Sequence, residues 1–371
     1  MRHRDFLIRS AIEYAFRRRP PGFWLISVGA AMLIALLGGL AFRVEATFQD
    51  RPLHLSFSTE SVGGLATYAA VLVALTLIGL GVQAVRRDWA IFDRRSVVVI
   101  ELRGLRDWKG EPLTEALPAG LPGRREEVAI DLRQGLVDGV ISDAQVALGK
   151  LMNLKPRLEQ IETWKDRTDV SFVVGGLAPT PYSFLTGVIL DDEAALTFWD
   201  WDRDARAWRE PDEEDDGERF VVNGLLGVSD DVSDVLVLVS VSYLADRPAA
   251  EARVGDIPIV SLTLPNPNTA NHWSADKQIA LGRQFLNVMS ALKGKRIGRA
   301  HLVLAAQNSV ALRFGALYDK RLLPPVTVYQ YEGGAFTWGV DMPVAGASVP
   351  TLTTTSPSDP APRPGRRSAG R

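Results

Sequence analysis

Two stretches free of charged side chains, Phe23–Phe42 (FWLISVGAAMLIALLGGLAF) and Val62–Val85 (VGGLATYAAVLVALTLIGLGVQAV), constrain this chain more than any other feature. About 20 apolar residues in a helix cross a hydrocarbon layer of roughly 30 Å, so each run is predicted to be one transmembrane helix. The connection from Arg43 to Ser61 is short and nearly charge-balanced. Arg2, Arg4, Arg9, Arg17, Arg18 and Arg19 precede the first run, and Arg86, Arg87, Arg94 and Arg95 come after the second. Positive charge resists translocation, which puts both basic flanks, and so both termini, on the cytoplasmic side. A cleaved signal peptide fits less well, because the first run is longer than an ordinary h-region and no small-x-small site follows Phe42. Residues 1–20 place Leu7, Ile8, Ala11, Ile12 and Ala15 near one helical face, as a basic amphipathic helix on the inner leaflet would. Small residues in both runs (Gly29, Ala30, Ala31, Gly38, Gly39, Gly79, Gly81) permit close helix packing, within one hairpin or between protomers. No ionisable residue lies in either run, so the pair reads as an anchor or a membrane-perturbing hairpin and not as a proton relay.

With 371 residues and 46% hydrophobic content the chain exceeds one ordinary domain, and length alone suggests two or three packing units. With 42 Lys+Arg against 44 Asp+Glu the chain carries a formal charge of -2, which excludes a globally cationic nucleic-acid binder. The absence of cysteine removes disulfides, thiolate metal sites and cysteine nucleophiles. His3, His54, His272 and His301 are scattered, where zinc needs three or four converging ligands, so no metal or other cofactor is expected. No G-x-S-x-G elbow, P-loop, H-E-x-x-H or Asp/His cluster appears, so no catalytic residue is assigned and the chain is read as a non-enzyme.

The pattern of the region beyond the second span is α/β. Ser96–Leu102 and Glu127–Leu132 read as strands, Ser142–Lys165 as helix, and Asp169–Asp192 as a strand, a glycine- and proline-rich loop and a second apolar element. Leu196–Pro211 alternates as a hairpin turned at Asp202–Ala205, with Trp199, Trp201 and Trp208 packing across it. The acidic run Asp212–Asp216 lacks calcium-loop spacing and reads as a solvated linker. DVLVLVSVSYL, Asp234–Leu244, is a strand covered on both faces and central in its sheet. A Pro- and Asn-rich loop, Pro265–Lys277, leads into an amphipathic helix ending at Gly294. Next are strand His301–Ala305, a turn at Ala306–Ser309 and a helix, with Ser309 as the expected N-cap. Val326–Trp338 is a hairpin turned at Gly333–Gly334, and beyond Val344 the Pro-, Ser- and Arg-rich tail is expected to be disordered. In such sheets ligands sit beyond the carboxyl ends of strands, beside helix N-termini. The turns Pro265–Ser274 and Ala306–Ser309 have that placement, or are ordinary strand-to-helix connections.

LPNPNTANHWSADKQIALGRQF, followed by IGRAHLVLAAQNSVALRFGALYDKRLLPPVTVYQYEGG with its internal Gly315 and its Tyr329 and Tyr331, resembles the SAVED domain in the order of its elements. GGLAPTPYSFLTG, Gly175–Gly187, is similar to a feature of the N-terminal half of related effectors. The resemblance covers roughly Ser96–Pro343 and implies two fused CARF-like, Rossmann-like halves. The expected layout is a basic segment at 1–20, a transmembrane hairpin at 21–86, the two halves at 87–217 and 218–345, and a tail at 346–371. The resemblance further implies a sensor of a cyclic oligonucleotide made by a partner nucleotidyltransferase in antiphage signalling, a ligand-induced homo-oligomer, and an effector acting on the lipid bilayer as a multi-pass protein of the bacterial inner membrane. A cyclic tri- or tetranucleotide needs donors for phosphates and polar edges for bases. Thr269, Asn271, His272, Ser274 and Lys277 supply these on one loop, and Gln307, Asn308, Ser309 and Arg313 on the other. A membrane scaffold recruiting a partner through the α/β domain is the alternative.

Overall fold

The computed structural model describes residues 21–38, 42–48, 51–57, 64–104, 110–118, 121, 123–133, 136–137, 140–141, 143–163, 167–191, 195–344 and 349–354. The amphipathic segment expected at 1–20 and most of the tail lie outside the described residues. The chain divides into two compact units, residues 1–96 with 118–124, and residues 97–117 with 125–371.

The first unit is built on two helices, α1 (Pro21–Gly38) and α2 (Gly64–Arg94). Between them, strands β1 (Phe42–Phe48) and β2 (Arg51–Phe57) pair antiparallel from Phe42↔Phe57 to Phe48↔Arg51. The first expected span is described as helix only over Pro21–Gly38, with Phe42 already in a strand, and its apolar part Gly22–Leu36 is shorter than a membrane crossing needs. α2 continues through the basic flank to Arg94, and its Thr67–Ala90 is long and apolar enough to cross a membrane by itself. The small residues seal the hairpin internally. A Cβ on Gly22 would lie 2.7 Å from the Gly81 carbonyl oxygen, and one on Gly29 would lie 2.7 Å from that of Ala74. Both pairs are spaced seven residues apart, two turns of helix, so the backbones meet along one antiparallel seam.

The second unit holds two main sheets. In chain order its elements are β3 (Ser96–Arg103), the single turn α3 (Leu113–Ala116), β4 (Arg124–Asp131), the two-residue strands β5 (Leu136–Val137) and β6 (Val140–Ile141), α4 (Ala144–Met152), α5 (Leu154–Thr163), β7 (Val170–Leu177), α6 (Thr180–Leu190), β8 (Ala195–Asp202) and β9 (Ala207–Arg209). Then come β10 (Val221–Asn223), β11 (Asp234–Ser240), α7 (Arg247–Val254), β12 (Ile259–Thr263), α8 (Ala275–Gly294), β13 (Arg299–Ala305), α9 (Asn308–Ala316), β14 (Val326–Glu332), β15 (Ala335–Asp341) and β16 (Thr351–Thr354). The five-stranded sheet runs β4-β3-β7-β8-β9 and the seven-stranded sheet β10-β12-β11-β13-β14-β15-β16. β11 pairs parallel with β12 and β13, and β13 with β14.

β11 shows why its β-branched run is continuous. Val235, Val237 and Val239 face one large core shared with the five-stranded sheet, while Leu236 and Leu238 face a smaller cluster beneath α7. The hairpins form as the alternation predicts, with Trp201 and Trp208 edge to face at 5.6 Å across β8 and β9. The Thr-rich stretch expected in the disordered tail instead contributes β16, paired antiparallel with β15 from Asp341↔Thr351 to Trp338↔Thr354. α6 and α9 pack together at the centre of the unit. A side chain on Gly315 would collide with the Phe184 carbonyl, and one on Gly187 with that of Leu312, so only glycine permits this approach.

Candidate functional site

Each half repeats one motif: a strand, a loop, a helix, and a second strand that enters a hairpin (β7-α6-β8-β9 and β13-α9-β14-β15). Because α6 and α9 are adjacent, the carboxyl ends of β7 and β13 come together at the two helix N-termini. Each half caps the other's helix. On β8, Asp200 accepts from the Ser309 backbone N–H at 2.9 Å; on β14, Gln330 Oε1 accepts from the Thr180 N–H at 2.9 Å. Asn308 Oδ1 reaches across as well, accepting from Ser183 Oγ at 2.5 Å and the Ala178 N–H at 3.3 Å. These bonds satisfy donors that a helix cannot pair within itself. Ser309, the expected N-cap, is the second residue of α9: the cap is Gln307, whose side chain makes no capping bond.

The loop before α8 is sewn to the end of β11. Ser274 caps α8 by accepting from the Lys277 N–H at 3.2 Å. Asn271 is buried; its Nδ2 donates to the carbonyls of Val241 (3.0 Å) and Asn266 (2.8 Å), and its Oδ1 accepts from Lys277 Nζ at 2.9 Å. The same amine donates to Asp216 at 2.6 Å and contacts Glu218 at 3.5 Å, with the lysine side chain only 3% exposed. The acidic run is therefore not a free linker. Asp216 reaches the buried amine, Arg209 pairs with Asp212 and Glu213, and the backbone bridges Asp212 to Ser274. The Lys277 ammonium holds the Asp216 carboxyl below its ordinary pKa.

One residue that composition and spacing did not single out joins the two loops. Buried Gln278 donates through Nε2 to the His272 carbonyl at 2.6 Å and to Ser309 Oγ at 3.1 Å, and accepts from Arg313 Nε at 3.0 Å. Arg313 also lies 4.9 Å over the Phe198 ring, and burial pushes its pKa down to about 10. His272 packs on Trp273 at 4.1 Å with Nε2 3.9 Å from Asp200; burial lowers its pKa against the opposing pull of that carboxylate. The two loops thus converge. Within them Asn271, His272, Ser274, Lys277 and Ser309 are buried, Asn308, Arg313 and Gln307 are half-buried, and Thr269 is exposed.

At the same carboxyl edge, Ser242 Oγ is buried without a hydrogen-bond partner among the described residues. Tyr243 and Leu244 are exposed just beyond β11, and the exposed Tyr331, at the end of β14, donates its hydroxyl to Asp246 at 2.9 Å. An open groove of about 580 Å³ runs along the outer face of β11 and β12, floored by Leu238, Ser261 and Thr263 and walled by Arg247 and Glu251. No group of three or more His, Asp or Glu is placed to hold a metal ion among the described residues. Chemically the edge offers hydroxyls, amides and aromatic faces, while Lys277, Arg313 and Arg247 each already have protein partners.

The chain belongs to the SAVED family, since the model of the SMODS-associated and fused to various effectors sensor domain matches residues 154–342. Residues 1–148 match the SAVED-fused 2TM effector domain, so the N-terminal region is a transmembrane effector module. Among solved structures, the chain is similar to the SAVED/CARF-domain containing receptor Cap4 of Acinetobacter baumannii with the cyclic trinucleotide 2'3'3'-cAAA, at 10% identity and a TM-score of 0.46 over 75% of this chain and 58% of that one. The same receptor with 3'3'3'-cAAA gives 11% identity and a TM-score of 0.45 over 75% and 58%. Cap4 of Moraxella osloensis gives 10% and 0.43 over 74% and 60%. The chain thus spans under two thirds of the length of these receptors. No curated protein matches.

Proposed function

We propose that this protein is a membrane-anchored effector without catalysis of its own. It binds a cyclic oligonucleotide from a partner nucleotidyltransferase, assembles into homo-oligomers, and disrupts the inner membrane in antiphage defence. In this reading it is multi-pass with both termini cytoplasmic, and the sensor consists of two halves, 87–217 and 218–345. The observation that carries it is the fusion in one chain of a SAVED sensor domain with a 2TM effector domain.

The ligand site is the carboxyl edge where the loops 265–274 and 306–309 converge. Thr269, Gln307 and Asn308 meet the ligand: Thr269 is exposed and the other two are half-buried at the turn itself, whereas the equally half-buried Arg313 is held by Gln278 and Phe198. Asn271, His272, Ser274, Lys277, Ser309 and Arg313 act in the same site by holding those loops in shape. A ring of phosphates placed there meets the hydroxyl and amide donors of Thr269, Gln307 and Asn308.

The test is thermal-shift and light-scattering of the full chain in detergent against cyclic di-, tri- and tetranucleotides. One compound stabilising the fold and enlarging the particle supports the reading. No response to any of them favours a scaffold that recruits its partner through the α/β domain.

A further inference from the structure

The end of α2 suits a partner that the sensor reading does not use. α2 has 31 residues, about 46 Å of helix at 1.5 Å per residue, against a hydrocarbon core of roughly 30 Å. Its seam with α1 closes where Gly22 meets Gly81 and Val85, one residue from the first residue of α1, Pro21. Arg86–Arg94 therefore extends past the described end of its partner helix.

At 100° per residue, Arg86, Ala90, Arg94 and Arg87 fall within about 100° of arc on one face. All four are exposed. Asp88 is on the opposite side and Asp93 borders the face beside Arg86. Trp89, on the same turns of α2 as the arginines, is 66% exposed, and Trp24, about two turns nearer the apolar part of the hairpin by the Gly22–Gly81 register, is 59% exposed. Exposed tryptophans beside arginines at the end of a transmembrane helix are placed at the headgroup boundary.

We infer that this arginine face binds the headgroups of anionic phospholipids, and that the effector hairpin therefore sits in a local shell enriched in them. The complementarity is of charge and shape: guanidinium forks match phosphate oxygens bidentately, and the remainder of the helix is already in the bilayer. Each arginine near an anionic surface favours it by roughly fivefold, so three on one face give a preference on the order of a hundredfold, reduced by Asp93 and by salt.

The test uses the full chain in nanodiscs containing either brominated phosphatidylglycerol or brominated phosphatidylcholine, each diluted in unlabelled mixed lipid. Tryptophan quenching is read as the difference from a W24F/W89F chain. The expected result is at least severalfold stronger apparent binding of the anionic lipid, falling to near parity in R86Q/R87Q/R94Q with unchanged helical circular dichroism. Inorganic phosphate at matched ionic strength should leave the preference intact. Equal quenching by the two lipids, a preference unaltered by the triple substitution, or its loss to inorganic phosphate would each overturn the inference.

Discussion

Replacing Lys277 by methionine keeps the length and apolar stem of the side chain and removes only the ammonium, so no cavity complicates the result. The amine loses its contacts to Asp216 at 2.6 Å, Asn271 Oδ1 at 2.9 Å and Glu218 at 3.5 Å. Breaking a fully buried ion pair costs about 3–5 kcal/mol. Here the lysine side chain is 3% exposed but Asp216 is 52% exposed and rehydrates, which discounts its share. The buried Asn271 carbonyl left without its donor adds about 1 kcal/mol. The sum is about 2–3 kcal/mol, or about 5–10 °C in the melting of a domain of this size. Thermal unfolding of the full chain in detergent, followed by near-ultraviolet circular dichroism, measures it, with Thr269→Ala as the exposed control expected to melt with the wild type. A double substitution, K277M/D216N, should recover part of the loss, because the uncompensated carboxylate is then gone. Wild-type melting of K277M would refute the reading of this lysine as a structural tie.

The same pair sets a pH dependence. The folded-state pKa of Asp216 is depressed, so its contribution is fully present above the unfolded value of 3.8 and disappears as pH falls through the folded value; the stability gap between wild type and K277M should narrow below about pH 4 in urea titrations. Asp200→Ala removes the acceptor of the Ser309 N–H and should cost about 2 kcal/mol, while Asp200→Asn should cost less by keeping an acceptor, a contrast that chemical denaturation resolves. Gly315→Ala pushes α9 off the Phe184 carbonyl and should destabilise by about 1–3 kcal/mol, visible as a lowered urea midpoint.

Much of the fold was legible because its signals are local. The β-branched run of β11, the Gly333–Gly334 hairpin and the Gly294 end of α8 each rest on a few consecutive residues. β16 was not legible, since Thr351–Thr354 carries no apolar pattern and becomes a strand only because β15 offers it an edge. The site was half legible for the same reason. Composition picked out both loops, but it could not tell a solvent-facing donor from one consumed internally. Gln278 reaches Ser309 31 positions away, Asp200 caps a helix 109 positions away, and Gln330 caps one 150 positions away. That the Lys277 amine is already engaged is invisible locally, because its carboxylate partners stand some 60 residues earlier, in a run that reads as an unattached linker. The two cross-caps come from the packing of α6 on α9, which two glycines permit and no local motif announces.

The central claim, that ligand capture by the SAVED domain drives the 2TM module to breach a membrane, is tested most directly by dye release from liposomes carrying the full-length protein. Cyclic di-, tri- and tetranucleotides are added one at a time, with linear nucleotides as controls. The account predicts that a compound that stabilises the sensor also releases dye, and that K277M needs more of it. Binding without release, or release that no cyclic nucleotide alters, would contradict it.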